Sequence, residues 1–257
     1  MHQKLLYDYS RDPDSELYRW VEKAAENHKS RLASIAEKLG IQGLPFRGEV
    51  LIGEPSKEII RFSRGLKADL IVMGKRGLGL IDRMLIGSTT IKVLRESSVP
   101  VVAVKKRDEE RAIEIRNILV PIDINEKVDS ALNYAIDLAQ KINANISVVY
   151  ILYVSDYEIH YNRVEGLINH SSGELAKRVE KVKRGIRNGE ATKLEINTEV
   201  IEGISPAMRI VEYATSKNAD LIVINTHGRK GIKRLILGSV AEKVIQESHC
   251  PVLALKP

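Results

Sequence analysis

The sequence predicts an α/β protein made of two tandem doubly wound parallel-sheet units, the first of them incomplete. Three observations lead there. Residues 69–105 and 220–256 align without a gap, with Asp69, Gly77, Gly87, Ser88, Lys92 and Pro100 matching Asp220, Gly228, Gly238, Ser239, Lys243 and Pro251. Strand-like apolar runs alternate with helical periodicity, the signature of a parallel sheet with right-handed crossovers. In each copy a glycine-bearing turn follows a strand, and a Gly-Ser pair opens the next helix.

The elements follow in order. The first copy predicts a helix over 14–39, a strand over 47–52, a helix over 55–66, a strand over 69–73, a loop, a helix over 87–97 and a strand over 101–104. In the first helix Leu17, Val21, Ala24, His28, Leu32, Ile35 and Leu39 form one stripe. Trp20 is read as packing, and Gly40 as the stop signal. The second copy predicts strand 117–122, helix 127–142, strand 146–152, a long excursion, helix 173–188, strand 195–201, helix 205–217, strand 220–224, the glycine loop, helix 238–248 and strand 252–255. Ala131, Tyr134, Ala135, Leu138 and Ala139 share a helix face. Gly53-Glu54-Pro55 matches Gly203 to Pro206 with one residue inserted.

The copies are unequal. The second opens near Arg116 with NILVPIDIN, a helix and the strand ISVVYIL, and the first has no counterpart to these. Met1 of the first copy aligns near Ile151. The expected domains are 1–106 and 116–257, joined by a linker over 107–115 that begins with the charge run Arg107 to Arg111.

Composition narrows the class. Of 257 residues, 44% are hydrophobic and 29% charged, an ordinary balance for a chain that buries a core. No apolar run reaches the roughly 18 residues of a membrane span, and no signal-peptide core follows Met1. The one cysteine, Cys250, allows no internal disulfide and is read as a small core residue. Together these point to the cytoplasm. The net charge of +6 admits a polyanion partner, but the charges are interspersed and aromatics are only 5%, which argues against nucleic acid.

The chemistry-bearing pattern is G-x-x-G, nine residues, then G-S. The first copy carries Gly74, Gly77, Gly87 and Ser88; the second carries Asn225, Gly228, Gly238 and Ser239. Open parallel sheets bind ligands at the carboxyl ends of their strands. Glycine permits a sharp turn and close approach to a ligand. A helix start offers free N–H groups and a positive dipole end, and the Ser hydroxyl adds a donor. The plainer reading is that these glycines only serve tight turns; the same spacing repeated in the same context favours a phosphate site. Lys75, Arg76 and Arg83, and His227, Arg229, Lys230, Lys233 and Arg234, crowd the loops as phosphate partners, as solvated cations, or with side chains that point away.

VPID, the ADLIV strand and NTHGRKGIKRLILGSVAEKVIQESHCPVLALK resemble the universal stress protein family. The likeness covers 116–257, and 14–106 without the opening elements. It implies an adenine nucleotide alpha hydrolase-like fold with strand order 3-2-1-4-5. Many such proteins bind ATP, with Mg2+ or Mn2+, and others lack nucleotide. The resemblance places Pro121, Ile122 and Asp123 against adenine, with Val149 as a pocket wall. It places Ile224, Asn225, His227 and Gly228 along ribose and phosphates, and Gly238, Ser239 and Val240 on the phosphates. In the first copy the matching positions are Gly74, Arg76, Gly77, Gly87, Ser88 and Thr89. Asn225 departs from the family's glycine; among non-glycine residues Asn tolerates positive φ well, though its side chain reaches toward the ribose.

A P-loop, an H-E-x-x-H motif and a metal-ligand cluster are absent from the sequence. The expected function is a non-enzymatic, ATP-binding regulator of a stress response. The alternatives are a nucleotide-free interaction module of the same fold and a slow ATPase. The strands at 101–104 and 252–255 are expected to pair antiparallel as a pseudo-dimer within one chain, with a homodimer as a further option. Residues 4–9, KLLYDY, are the candidate strand to fill the gap between 47–52 and 69–73. A start upstream of Met1, or a strand lent by a second molecule, would fill it equally.

Overall fold

The computed structural model describes residues 15–38, 45–75, 86–105, 114–126, 128–154, 161–185, 194–226 and 237–256. The chain divides into two compact units, 1–59 and 60–257.

In the first unit, helix α1 spans Glu16–Lys38. Ser15 receives the Tyr18 N–H on its Oγ at 3.0 Å, a side-chain cap for the first turn. Val21, Ala24 and Leu32 are half-buried, whereas His28 and Ile35 on the same stripe are exposed. Trp20 is 69% exposed, so the packing expected of it does not occur. Leu39 and Gly40 lie outside the described residues. The strand expected over 47–52 is not formed. Leu51 and Ile52 are exposed. A strand needs a neighbour to take its backbone groups, whatever its composition. The proposed strand over 4–9 lies outside the described residues, as do the charge run of the linker and both glycine-loop centres.

Helix α2 spans Pro55–Gly65. The unit 60–257 then holds β1 (Ile71–Gly74), α3 (Ser88–Glu96) and β2 (Val101–Val104) of the first copy. The second copy supplies β3 (Asn117–Pro121), α4 (Ser130–Ile142), β4 (Asn145–Tyr153), α5 (Tyr161–Gly185), β5 (Ile196–Gly203), α6 (Pro206–Ser216), β6 (Leu221–Asn225), α7 (Ser239–Glu247) and β7 (Val252–Leu255). Helix α5 begins well before residue 173, so much of the expected excursion is helical.

One seven-stranded sheet runs β1-β2-β7-β6-β3-β4-β5. Within the second copy the order is 3-2-1-4-5, all parallel. The copies meet at β2 and β7, which lie antiparallel with Val101 opposite Ala254 and Ala103 opposite Val252. In the first copy, β1 and β2 are the strands among the described residues, and they pair parallel.

The central strand β3 is closed on both faces, as its continuous apolar run requires: Ile118, Leu119 and Val120 are each at most 1% exposed. Ala131, Leu132, Ala135, Ile136 and Ala139 of α4 pack into the same core with Ile146, Val148 and Leu175. Tyr134 and Leu138 are only partly buried against it. Asn143 ends α4 in the left-handed conformation at φ 56, its N–H donating to the Ala139 carbonyl. Cys250 is buried, and burial pushes its thiol up to about 11.

The repeated aspartate has a structural use. Asp220 Oδ2 accepts the N–H groups of Arg116 and Asn117 at 3.0 and 2.9 Å, fixing the entry of β3 beside β6. Asp69 holds the matching position in a copy whose described residues include no such entering strand.

Candidate functional site

In the second copy the chain leaves β3 toward β4 and leaves β6 toward β7, so the strand order reverses between β3 and β6. Ligands of open α/β sheets bind in the crevice outside such a reversal. Pro121 ends β3 and is buried. The Ile122 N–H donates to the Val149 carbonyl at 2.9 Å, extending the β3–β4 ladder by one residue. Asp123 then turns the chain: its Oδ1 accepts the Asn125 backbone N–H at 3.0 Å and side-chain Nδ2 at 2.9 Å. Val149 and Ile224 are buried at 0% and 5% exposure, so both underlie the crevice instead of standing open in it.

Across the crevice, Asn225 closes β6. Ser130 Oγ donates to Asn225 Oδ1 at 2.6 Å, and Asn225 Nδ2 donates to Glu126 Oε2 at 3.1 Å. The amide therefore bridges the end of β6 to the loop after β3 and to the first residue of α4. Burial is the main cause that pushes the Glu126 carboxyl above its ordinary range; Asp123 and Asp129 add to the rise, while Asn225 and Arg178 oppose it.

Arg178, on α5, holds the same loop from outside. Its Nε donates to Asp129 Oδ1, and its other nitrogens reach the carbonyls of Asp123 at 2.9 Å and Val128 at 3.4 Å. This ion pair is largely buried, with side-chain exposures of 13% and 19%. Asp129, at the N-cap of α4, consequently makes no side-chain cap bond.

The Gly-Ser helix starts are built alike in both copies. Gly238 donates its N–H to the Thr226 carbonyl at 2.7 Å, and Thr226 donates to Leu255 at 2.7 Å. In the first copy Gly87 donates to Lys75 at 2.8 Å, and Lys75 donates to Val104 at 2.6 Å. The first turns of α7 and α3 are thus docked against the ends of β6 and β1. Gly238 and Gly87 are N-caps with no side-chain cap bond. Ser239, Val240 and Ser88 are exposed at these helix starts, and Thr89 is half-exposed. Thr90 Oγ1 donates to the Gly74 carbonyl at 2.9 Å.

The structure therefore brings Pro121, Ile122, Asp123, Asn225 and Gly238 to one end of the sheet, with Ser239 and Val240 following. His227 and Gly228, and Arg76 and Gly77 in the first copy, lie outside the described residues. Of the readings open for the basic residues, Lys75 takes the one in which the side chain points away from the loop: it is buried and donates to the second copy. Glu126, Ser130 and Arg178 were not foreseen as site residues. The run D-S before a helical pattern could have flagged Ser130; nothing local marks Arg178.

Among the described residues, the start of α7 at Gly238 and the Asn225 bridge stand at the same end of the sheet. None of the described helices is long and apolar enough to cross a membrane, and no group of three His, Cys, Asp or Glu residues suited to a metal occurs among the described residues.

Parallel strands in the order 3-2-1-4-5, with a Gly-Ser helix start that recurs in the first copy, define a tandem doubly wound α/β protein. The universal stress protein family matches residues 5–105 and again 114–256, so the chain belongs to that family in its tandem form. A universal stress protein of Methanocaldococcus jannaschii is 36% identical over 146 residues, spanning 55% of this chain and 82% of the relative. One from Mycolicibacterium smegmatis is 27% identical over 232 residues, spanning 87% and 73%. Among solved structures, a universal stress protein from Archaeoglobus fulgidus shares the fold at a TM-score of 0.63 and 23% identity, covering 96% of this chain and 82% of its own.

Proposed function

We propose that the chain is a non-enzymatic regulator that binds an adenine nucleotide in its second copy. The base lies toward Pro121, Ile122 and Asp123, and the phosphates lie on Gly238, Ser239 and Val240. The observation that carries this reading is the docking of Gly238 on Thr226, which aims the uncapped first turn of α7 at the strand reversal. ATP with Mg2+ or Mn2+ is the proposed ligand; the metal would neutralise phosphate charge. The first copy lacks the base-side strand among its described residues and acts as scaffold, its loop empty or holding an inorganic anion. The proposed setting is the cytoplasm.

A second reading, a nucleotide-free interaction module, is favoured by one observation. Asn225 spans the crevice through Ser130 and Glu126, where a glycine would leave space for the ribose. Calorimetry with ATP and AMP on the full chain separates the two. Binding at micromolar ligand supports the regulator; no heat up to millimolar ATP supports the module. Bound nucleotide also raises the melting temperature by mass action, which gives an independent check.

A further inference from the structure

The two copies are related by an approximate twofold axis passing between Val102 and Leu253, since Val101 faces Ala254, Val102 faces Leu253 and Ala103 faces Val252. Equivalent residues on the two sides should therefore make equivalent contacts, yet some contacts across the seam are one-sided: Arg95 pairs with Glu242 at 3.2 Å, where the counterparts are Gln246 and Ile91, and Lys75 crosses to the second copy. Lys75 corresponds to Thr226, Ser97 to Ser248 and Val99 to Cys250 in the ungapped repeat. Each Ser-containing corner is built alike: Ser97 Oγ donates to the Val99 carbonyl at 2.8 Å, and Ser248 Oγ to the Cys250 carbonyl at 2.7 Å. The second-copy corner also receives the first copy's lysine. Lys75 Nζ donates to the Ser248 carbonyl at 2.8 Å, to Ser248 Oγ at 2.9 Å and to the Cys250 carbonyl at 3.2 Å. Lys75 is 5% exposed, and Ser248 and Cys250 are each 2% exposed.

The side of β7 that pairs with β2, the outer edge of the second copy's own five strands, is the surface at stake. Strand edges pair through backbone groups and carry little partner preference of their own. By the same twofold, β7 could pair with β7 of another chain, Leu253 facing Leu253. A second copy from another chain would bring Thr226 to the corner, and a threonine cannot extend three donors across the interface. The Cys250 carbonyl would keep the Ser248 hydroxyl, but the buried Ser248 carbonyl would lose the lysine's bond, and leaving a buried acceptor unmet is costly.

We infer that Lys75 selects the partner of β7: the corner Ser248 to Cys250 is a receptor for a first copy carrying this lysine, and it disfavours a second copy from another chain. The tandem chain thereby closes its own edge and does not link to others through β7. This selection is independent of whether nucleotide binds.

The test uses the full chain with Leu253→Cys in a Cys250→Ala background, so that a disulfide between chains reports β7 facing β7. With Lys75 present, little covalent dimer forms under mild oxidation. Adding Lys75→Thr raises the dimer fraction by about tenfold, the scale expected when one buried acceptor loses its donor. Lys75→Met, which keeps the apolar stem, gives the same rise. No rise in dimer from variants that remain folded by circular dichroism overturns the inference, even if they are less stable. Unfolding of both variants overturns it as well, since Lys75 would then be a general stability residue and not a selector.

Discussion

Ser130 Oγ donates to Asn225 Oδ1 at 2.6 Å, tying the first residue of α4 to the last residue of β6. Asn225 stands where the first copy has Gly74, and its second bond, to Glu126, completes a bridge over the strand reversal. In the proposed site this amide stands where the ribose would lie.

Replacing Asn225 by Gly removes both bonds and the side chain. The expected outcome is a gain in ATP affinity of about tenfold, with a stability loss of about 1–2 kcal/mol from the lost bonds and the freer backbone. Calorimetry and denaturant melts of the same sample measure both. Affinity equal to or below wild type, in a chain that does bind ATP, would rule out the bridge as an obstacle.

Gly238→Val tests the phosphate end. Gly238 sits at φ −62 and ψ 140, a conformation open to any residue, so the backbone does not require glycine there. The variant should fold normally by circular dichroism and lose most ATP binding, because the branched side chain occupies the approach to the helix start. Unchanged ATP affinity would place the phosphates elsewhere.

Glu126 predicts a pH signature. Its folded pKa is raised above the ordinary 4.5, chiefly by burial. The stability linked to its proton is therefore fully present below the ordinary value and is lost as pH rises through the raised one. Glu126→Gln keeps an acceptor for Asn225 Nδ2 without the buried charge. The variant should melt higher than wild type at pH 7, and the gap should close as pH falls below the carboxylate range. Thermal melts from pH 3 to about 8 check the sign; a gap that widens on acidification contradicts it.

Asp220→Ala strips the partner from the N–H groups of Arg116 and Asn117. With the β3 entry partly solvated, the expected cost is about 1–3 kcal/mol in a denaturant melt. The same change at Asp69 should cost less, because the first copy's described residues include no strand for it to anchor.

By itself the sequence determined the repeat, the alternation of elements, the strand order implied by the resemblance, and the Gly-Ser helix starts. These are local or repetitive signals: period-2 and period-3.6 patterns, a glycine at a turn, one motif written twice. Tertiary structure alone decided four things. The apolar run at 47–52 stays out of regular structure, because a strand exists only beside a partner. Asn225 becomes a bridge through residues 95 and 99 positions away. Arg178 clamps a loop 49 to 55 positions earlier. Lys75, which reads from sequence as one more cation of the glycine loop, buries its ammonium against carbonyls 173 and 175 positions away. Contacts over such separations leave no periodicity in the chain; they come into being only when the sheet sets β6 beside β3 and turns β2 antiparallel to β7.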